Sequence, residues 1–217
     1  DAVNQTLNAH LDMESVELTF FSTFPQFGLK VKNGSLVSKA LNDSSWCKTD
    51  SLLSFKECVL TVNPIAYLTE NRIVVHNLSL EEVAVYAYRN KAGKANWEVT
   101  RAPADTASTD FNSEIDIRNI ELKHANLVFD DRNTDIYSRI DDANLKLRLS
   151  LTKGISTLGL KFDNKNILFW QQGELLVNKI ATSLRTDIMV DRQTAVWKLK
   201  DTELDVNGIR LDVNGAF

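Results

Sequence analysis

The chain has 217 residues, and 43% of them are hydrophobic, which is enough to bury a core in one large or two small domains. Its 29 acidic residues outnumber its 25 basic ones, and a net charge of -4 without a concentrated basic run argues against nucleic acid as a partner. The longest uncharged run lies between Glu17 and Lys30 and is too short and too polar to span a bilayer.

Apolar and polar residues alternate with period two along most of the chain, and helical stripes are rare. This pattern predicts a mainly β protein with a few short helices, folded as an extended, largely antiparallel sheet of serial hairpins. The predicted strands are 3–12, 27–32, 35–41, 52–62, 72–75, 78–80, 83–88, 115–122, 126–130, 137–151, 156–163, 166–171, 174–177, 181–191, 194–199 and 203–213.

Residues that tolerate positive φ or favour tight turns separate many of these strands. The predicted turns are Asn33-Gly34, 91–94, 131–134, 163–165, Gln172-Gly173 and Asn207-Gly208.

Two short helices are predicted between strands. The first spans residues 15–23 and ends before Pro25. The second spans 64–69, where Asn63 can act as the N-cap and Pro64 occupies the first helical position. Residues 101–113 are poor in apolar side chains and predict a linker or long loop. This linker separates an N-terminal β-unit, 1–100, from a β-hairpin repeat region, 114–217.

One β-pattern occurs twice, with Ile115 following Ile73 by 42 positions. The residues that coincide at this spacing are Ile73, Val75, Asn77, Leu78, Leu80, Val85 and Ala87 with Ile115, Ile117, Asn119, Ile120, Leu122, Leu127 and Phe129. A repeated β-unit predicts a stacked, extended sheet rather than a single catalytic pocket.

The two cysteines, Cys47 and Cys58, are eleven positions apart. A disulfide between them would close a small loop and stabilise the fold by roughly 2 to 3 kcal/mol. Two ordinary side chains are an equal alternative, since the sequence does not give the Cα separation. No CxxC motif and no histidine pair at ligand spacing accompanies them, so we predict no metal site and no cofactor.

Three acidic pairs are the main candidates for carboxylate chemistry, namely Glu81-Glu82, Asp130-Asp131 and Asp141-Asp142. Neighbouring residues of a strand point to opposite faces, and acids in turns are usually solvated. We therefore predict no catalytic residues and no enzymatic activity.

Several short motifs follow one another along the chain. They are Phe21-Ser22-Thr23-Phe24-Pro25 with Leu29-Lys30-Val31, Leu60-Thr61-Val62-Asn63-Pro64 with the helix after it, the strand pair 73–80, Val83-Ala84-Val85-Tyr86, and Gly93-Lys94-Ala95-Asn96-Trp97. In this order they resemble the AsmA family of bacterial envelope proteins. The polar linker and the continuation through 120–122 and 126–131 are similar to AsmA-like proteins of the Bacteroidetes type. The resemblance gives structural roles to Asn63, Pro64, Gly93, Asn96 and Trp97.

The AsmA family comprises inner-membrane-anchored proteins with a long periplasmic part, built as a curved, taco-shaped β-groove and implicated in outer-membrane biogenesis and phospholipid movement. The resemblance implies that this chain is a non-enzymatic periplasmic part of such a protein, anchored through an upstream segment and continuing as further hairpins downstream. It implies phospholipid or another acyl-chain lipid as the ligand, and other envelope proteins as partners.

Alternation puts apolar residues on one face of the C-terminal strands and polar residues on the other. The residues expected to face lipid are Leu122, Leu127, Phe129, Leu145, Leu147, Leu149, Leu158, Leu160 and Phe162. The same face could instead pack against a helix or a second sheet as an ordinary core. In that case the protein would be a β-rich scaffold or adhesion module that binds protein or glycan through its edges and turns.

Overall fold

The structure of the protein is a computed structural model that describes residues 8–19, 27–41, 48–63, 65, 73–99, 115–151, 155–191, 193–194 and 196–216. These residues contain fourteen β-strands and one turn of 3-10 helix (Lys48–Asp50). The strands are β1 (Ala9–Thr19), β2 (Phe27–Ser38), β3 (Ser51–Asn63), β4 (Ile73–Glu81), β5 (Ala84–Arg89), β6 (Ile115–Ile117), β7 (Asn119–Asp131), β8 (Ile136–Leu151), β9 (Ile155–Asn164), β10 (Asn166–Gln171), β11 (Glu174–Val177), β12 (Thr182–Asp191), β13 (Trp197–Val206) and β14 (Ile209–Ala216).

These strands join in one mostly antiparallel sheet, which confirms the predicted mainly β class. Ten of them form an unbroken path in the order β1-β2-β3-β4-β7-β8-β9-β12-β13-β14. β5 pairs with β3 and β7, β6 pairs with β4, and the β10–β11 hairpin attaches to β8. Strands from before and after the predicted linker 101–113 thus belong to one sheet, while the linker itself lies outside the described residues.

At the centre of the sheet the chain departs from serial hairpins, because β4 and β5 run parallel to β6 and β7. The predicted series of hairpins is interrupted here, since parallel strands need a long crossover connection. Leu80 lies beside Leu122 and Val85 lies beside Leu127, so the paired residues are 42 positions apart. The 42-residue spacing of the sequence repeat is therefore the offset between paired residues of the parallel strands. The pairing places each apolar residue of the first copy beside its equivalent in the second.

A line of irregular positions crosses the sheet near its middle. Asn33, Glu82, His124 and Asp142 have positive φ angles between 47 and 52°. The register of β7 with β8 shifts on both sides of Ala125. Bulges bend strands and increase their twist, so the sheet changes direction along this line, which we call the bend.

A small apolar cluster, Val83, Ala125 and Ala143, fills the inside of the bend. Ala125 and Ala143 face each other across β7 and β8, and all three residues are fully buried. Larger residues from both sides of the bend pack against them, namely Leu53, Phe55, Leu80, Val85, Leu122, Leu127, Ile140 and Phe162. Because Val83, Ala125 and Ala143 have small side chains, they leave room at the bend for these larger ones.

The predicted helix over 15–23 is wrong where the structure describes it, because β1 extends to Thr19 and pairs with β2. Val16 and Leu18 alternate with Glu17, whose carboxylate lies 2.7 Å from Lys32 Nζ on the neighbouring strand. Pairing with β2 decides the conformation of this short segment, and tertiary context of this kind routinely overrides local propensity.

The two predicted Asn-Gly turns have different conformations. β2 continues through Asn33-Gly34, and the predicted turn there is wrong because Gly34 sits under the ring of Phe55 on β3. A Cβ atom at Gly34 would lie 2.1 Å from Phe55 Cζ. Asn207 and Gly208, with φ of 50 and 87°, do form the predicted turn. This turn divides the predicted strand 203–213 between β13 and β14.

We expect Gly34→Ala to lower the free energy of unfolding by about 1 to 3 kcal/mol, because Phe55 must leave its place in the bend. Urea denaturation measures the change. Gly215→Ala is the matched control, since a Cβ there meets no atom within 4 Å. Equal effects of the two substitutions would contradict the assigned role of Gly34.

Two sequence predictions concern β3 and its end. Cys58 is half-buried on β3, and burial raises the pKa of its thiol. The Cys47–Cys58 disulfide stays a prediction. Cys47 lies outside the described residues. Asn63 Oδ1 accepts a hydrogen bond from the Ile65 N–H at 3.0 Å, as expected of an N-cap. Pro64 and residues 66–69 of the predicted helix also lie outside the described residues.

Candidate functional site

A row of ten apolar residues crosses the sheet, one from each strand of the ten-strand path. The register joins Val16, Val31, Cys58, Leu80, Leu122, Leu145, Phe162, Leu184, Leu204 and Leu211. With about 4.8 Å between strands, the row is roughly 43 Å long. We call the side of the sheet that carries this row the apolar face, and the opposite side the polar face.

Further rows widen the apolar face on both sides of the bend. The next row away from the bend is Leu18, Leu29, Leu60, Leu78, Ile120, Leu147 and Leu160. It continues as Thr186 and Thr202, whose buried hydroxyls lie 2.6 Å apart. Across the bend, a third row contains Leu11, Leu36, Leu53, Val85, Leu127, Ile140 and Ile167.

The nine residues that the sequence predicts to face lipid all lie on the apolar face. They are Leu122, Leu145 and Phe162 in the ten-residue row, Leu147, Leu149, Leu158 and Leu160 farther from the bend, and Leu127 and Phe129 across it. For the residues on β8 and β9, alternation along each strand is sufficient to predict a shared face, because cross-strand partners lie on the same side of a sheet.

Large residues of the apolar face keep part of their surface accessible. Among the described residues, every hydrophobic side chain that is fully buried is an Ala or a Val. Toward the two outer strands exposure rises to 73% at Leu18 on β1 and to 67% at Ile209 on β14. A covered sheet normally buries its Leu, Ile and Phe completely. The described part of the chain thus supplies no second layer that closes this face.

Aromatic residues mark one end of the apolar face. The Trp97 ring stacks on Phe129 with 5.8 Å between centroids, and the Arg89 guanidinium lies 4.9 Å from the centre of the Trp97 ring. Arg89 also binds the carboxylate of Asp131 at 3.0 Å. Phe129, although predicted to face lipid, therefore also has a structural neighbour in Trp97.

The predicted structural motif 93–97 closes the first β-unit. Asn96 is fully buried, and its Oδ1 accepts a hydrogen bond from the Tyr88 N–H at 2.9 Å. Its Nδ2 donates to the carbonyls of Tyr86 and Thr49 at 2.7 and 2.9 Å. Gly93 has a φ of 87° in the turn before it. One side chain thus ties β5 to the 3-10 helical turn.

The acidic pairs lie near cations or hydrogen-bond donors. Asp130 accepts from Tyr86 Oη at 2.9 Å and from Arg132 Nε at 2.6 Å. Burial acts to raise the pKa of Asp131, but hydrogen bonds from the N–H groups of Asn133 and Thr134 outweigh it and lower this pKa. These contacts give both carboxylates structural partners.

Asp141 and Asp142 are similarly engaged. Asp141 binds Arg139 at 2.8 Å, and this hydrogen bond lowers the pKa of Asp141. Lys165 and His124 hydrogen-bond Asp142, and they lower the pKa of that carboxyl in the same way. His124 and Asp142 are both bend residues, so the contact between them links β7 and β8 at the bend.

Tyr86 should titrate at unusually high pH. Burial, together with its hydrogen bond to Asp130, raises the pKa of Tyr86 to about 12. Since the folded protein holds this proton more tightly than the unfolded chain, the associated stability is complete below pH 10 and is lost as the pH rises toward 12. Absorbance titration at alkaline pH should show one late tyrosine step that Tyr86→Phe removes. Loss of only an early step would contradict this assignment.

Alternation in the sequence predicts the C-terminal half of the apolar face but not the N-terminal half. The N-terminal strands contribute Leu29, Leu60 and Leu78 to the same rows, although alternation around Leu29 was visible. The bend was missed as well. Its signal was present in the repeat, because Val83 and Ala125 are 42 positions apart.

Comparison with models of known families and with curated proteins found no match. Among the residues that the structure describes, no helix is long and apolar enough to cross a membrane. In the same residues, no three His, Cys, Asp or Glu side chains come together as a candidate metal site. The geometry of the apolar face is thus the main basis for a functional proposal.

Proposed function

We propose that this chain is the periplasmic, non-enzymatic part of an AsmA-like envelope protein and that its apolar face binds acyl chains of phospholipids as a β-groove. The observation that carries the proposal is the ten-residue apolar row, whose Leu and Phe side chains remain partly accessible. The resemblance of motifs 60–64 and 93–97 to the AsmA family supplies the envelope setting and a role in outer-membrane biogenesis.

Binding of acyl chains by the apolar face needs apolar area and does not require a polar specificity pocket. Each methylene transferred from water to an apolar surface contributes about 0.8 kcal/mol, so a dozen buried methylenes would contribute roughly 10 kcal/mol. A row about 43 Å long offers contact along a whole acyl chain. Headgroups would remain in water beside the apolar face. The affinity for a lipid would therefore depend on the length of its acyl chains more than on its headgroup.

Native mass spectrometry of the protein purified from a lipid-containing extract tests this function. We expect bound phospholipid in the unmodified protein and loss of that lipid in the double variant Leu147→Asp, Leu160→Asp. These two residues face each other across β8 and β9 and are half-buried, so the introduced carboxylates repel acyl chains at the centre of the face.

The matched control is Ser150→Asp, Thr157→Asp, which places the same charges on the polar face of the same two strands. It should fold and retain lipid. If the unmodified protein carries no lipid and Leu147→Asp, Leu160→Asp fails to fold, the apolar face is a closed core. The scaffold or adhesion reading would then be favoured.

A further inference from the structure

Three cations lie side by side on the polar face, directly opposite one another on neighbouring strands. Lys146 on β8 faces Lys161 on β9, and Lys161 faces Arg185 on β12. Like charges placed directly opposite each other repel and destabilise a sheet.

Acids flank this row on both sides, with Glu121 opposite Lys146 and Glu203 opposite Arg185. Lys146 Nζ binds Glu121 Oε1 at 2.7 Å on the β7 side. Within the described residues, Lys161, Arg185 and the nearby Arg148 form no ion pair. In the described part of the chain, Lys161, Arg185 and Arg148 thus add three positive charges without an ion pair to one region of the polar face, although the net charge of the whole sequence is negative.

A cleft opens between these cations at Gly159. Gly159 lies between Arg148 on β8 and Asp187 on β12, in the row next to the three cations. The cleft has a volume of about 130 Å³, and its lining residues are Lys146, Arg148, Gly159, Leu160, Lys161, Arg185 and Asp187. Asp187 Oδ1 would be 3.1 Å from a Cβ at Gly159, so this carboxylate leans over the cleft.

We propose that the cleft at Gly159 binds a phosphate group, with Arg148, Lys161 and Arg185 as its ligands. The planar guanidinium groups donate paired hydrogen bonds suited to phosphate oxygens, and the lysine adds a third positive charge. Gly159 lies on β9, between β8 and β12, and its lack of a side chain leaves the space in which the phosphate sits. Asp187 opposes the anion and weakens its binding. The site lies on the polar face and does not depend on lipid binding by the apolar face.

Calorimetric titration with inorganic pyrophosphate at low ionic strength tests the site. We expect saturable binding that weakens about tenfold or more in Arg148→Ala, Arg185→Ala, because charge-assisted hydrogen bonds are lost. Lys91→Ala, Lys198→Ala removes the same charge from exposed positions elsewhere and should bind as the unmodified protein does. Asp187→Asn should bind more tightly. Melting temperatures measure whether Arg148→Ala, Arg185→Ala and its control fold as the unmodified protein does.

A second variant separates a phosphate held in the cleft from a diffuse attraction. Gly159→Val keeps every charge but fills the cleft, and valine suits a strand. We expect it to abolish pyrophosphate binding. Sedimentation with phosphatidylcholine vesicles, with and without phosphatidylglycerol, identifies a lipid headgroup as the source if binding needs the anionic lipid and is lost in Gly159→Val.

Three results would overturn the proposal. The first is binding to neither pyrophosphate nor anionic vesicles. The second is equal weakening in the Lys91→Ala, Lys198→Ala control. The third is unchanged binding in Gly159→Val, which would mean that the positive field of the polar face attracts anions without a defined site.

Discussion

Asn96→Ala is expected to lower the free energy of unfolding by about 3 kcal/mol or more. The side chain satisfies the Tyr88 N–H and the carbonyls of Tyr86 and Thr49, and it is fully buried. Alanine leaves three backbone groups without their partner, at about 1 to 3 kcal/mol for each buried group. Since domains are typically stable by about 5 to 15 kcal/mol, the variant should be largely unfolded or close to it.

Chemical denaturation followed by circular dichroism measures this loss. Asn133→Ala is the control, because Asn133 is exposed and the same atoms are removed there. The control should change stability by less than about 0.5 kcal/mol. A loss of under about 1 kcal/mol in Asn96→Ala would contradict the role of Asn96 as the polar tie between β5 and the 3-10 helical turn.

Ala143→Leu is expected to destabilise the protein by about 2 to 3 kcal/mol, because the inside of the bend has no room for a larger side chain. Ala143 faces Ala125, and both are fully buried beside Val83. The added atoms must push β7 and β8 apart or change the bend itself. The midpoint of thermal unfolding measures the destabilisation, and hydrogen exchange of the β7 and β8 amides should increase.

Ala84→Leu provides the matched control for the bend, since Ala84 is exposed and lies next to Val83 in the chain. Its stability should remain within about 0.5 kcal/mol of that of the unmodified protein. Comparable destabilisation by both substitutions would mean that the interior of the bend is not tightly packed.

Much of the strand content could be predicted from alternation alone. The predicted strands 166–171 and 174–177 have the same limits as β10 and β11, because short turns with Gly and Lys bound them. The part of the segment 15–23 that the structure describes, 15–19, could not be assigned in this way. Its Ser and Glu residues suit a helix end, and the pairing with β2 that makes residues 15–19 a strand lies outside the local window that such a pattern covers.

The candidate site was partly predictable for a related reason. Leu145, Leu147 and Leu149 alternate without interruption, so their shared face could be read from β8 alone. Leu127 and Leu122 are five positions apart and would point to opposite faces of a regular strand. They share the apolar face because the bulge at His124 shifts the alternation. A bulge depends on backbone geometry that local apolar periodicity does not encode.

The β class, the two faces of each strand and the 42-residue repeat could all be derived from the amino-acid sequence, since they follow from local periodicity or from direct comparison of segments. Three other features are established by long-range contacts: the repeat is a parallel register, a bend crosses the sheet, and ten apolar residues from distant segments form one row. Those features depend on which strands become neighbours. That choice is made by packing between residues far apart in the chain, and alternation within one strand carries no information about it.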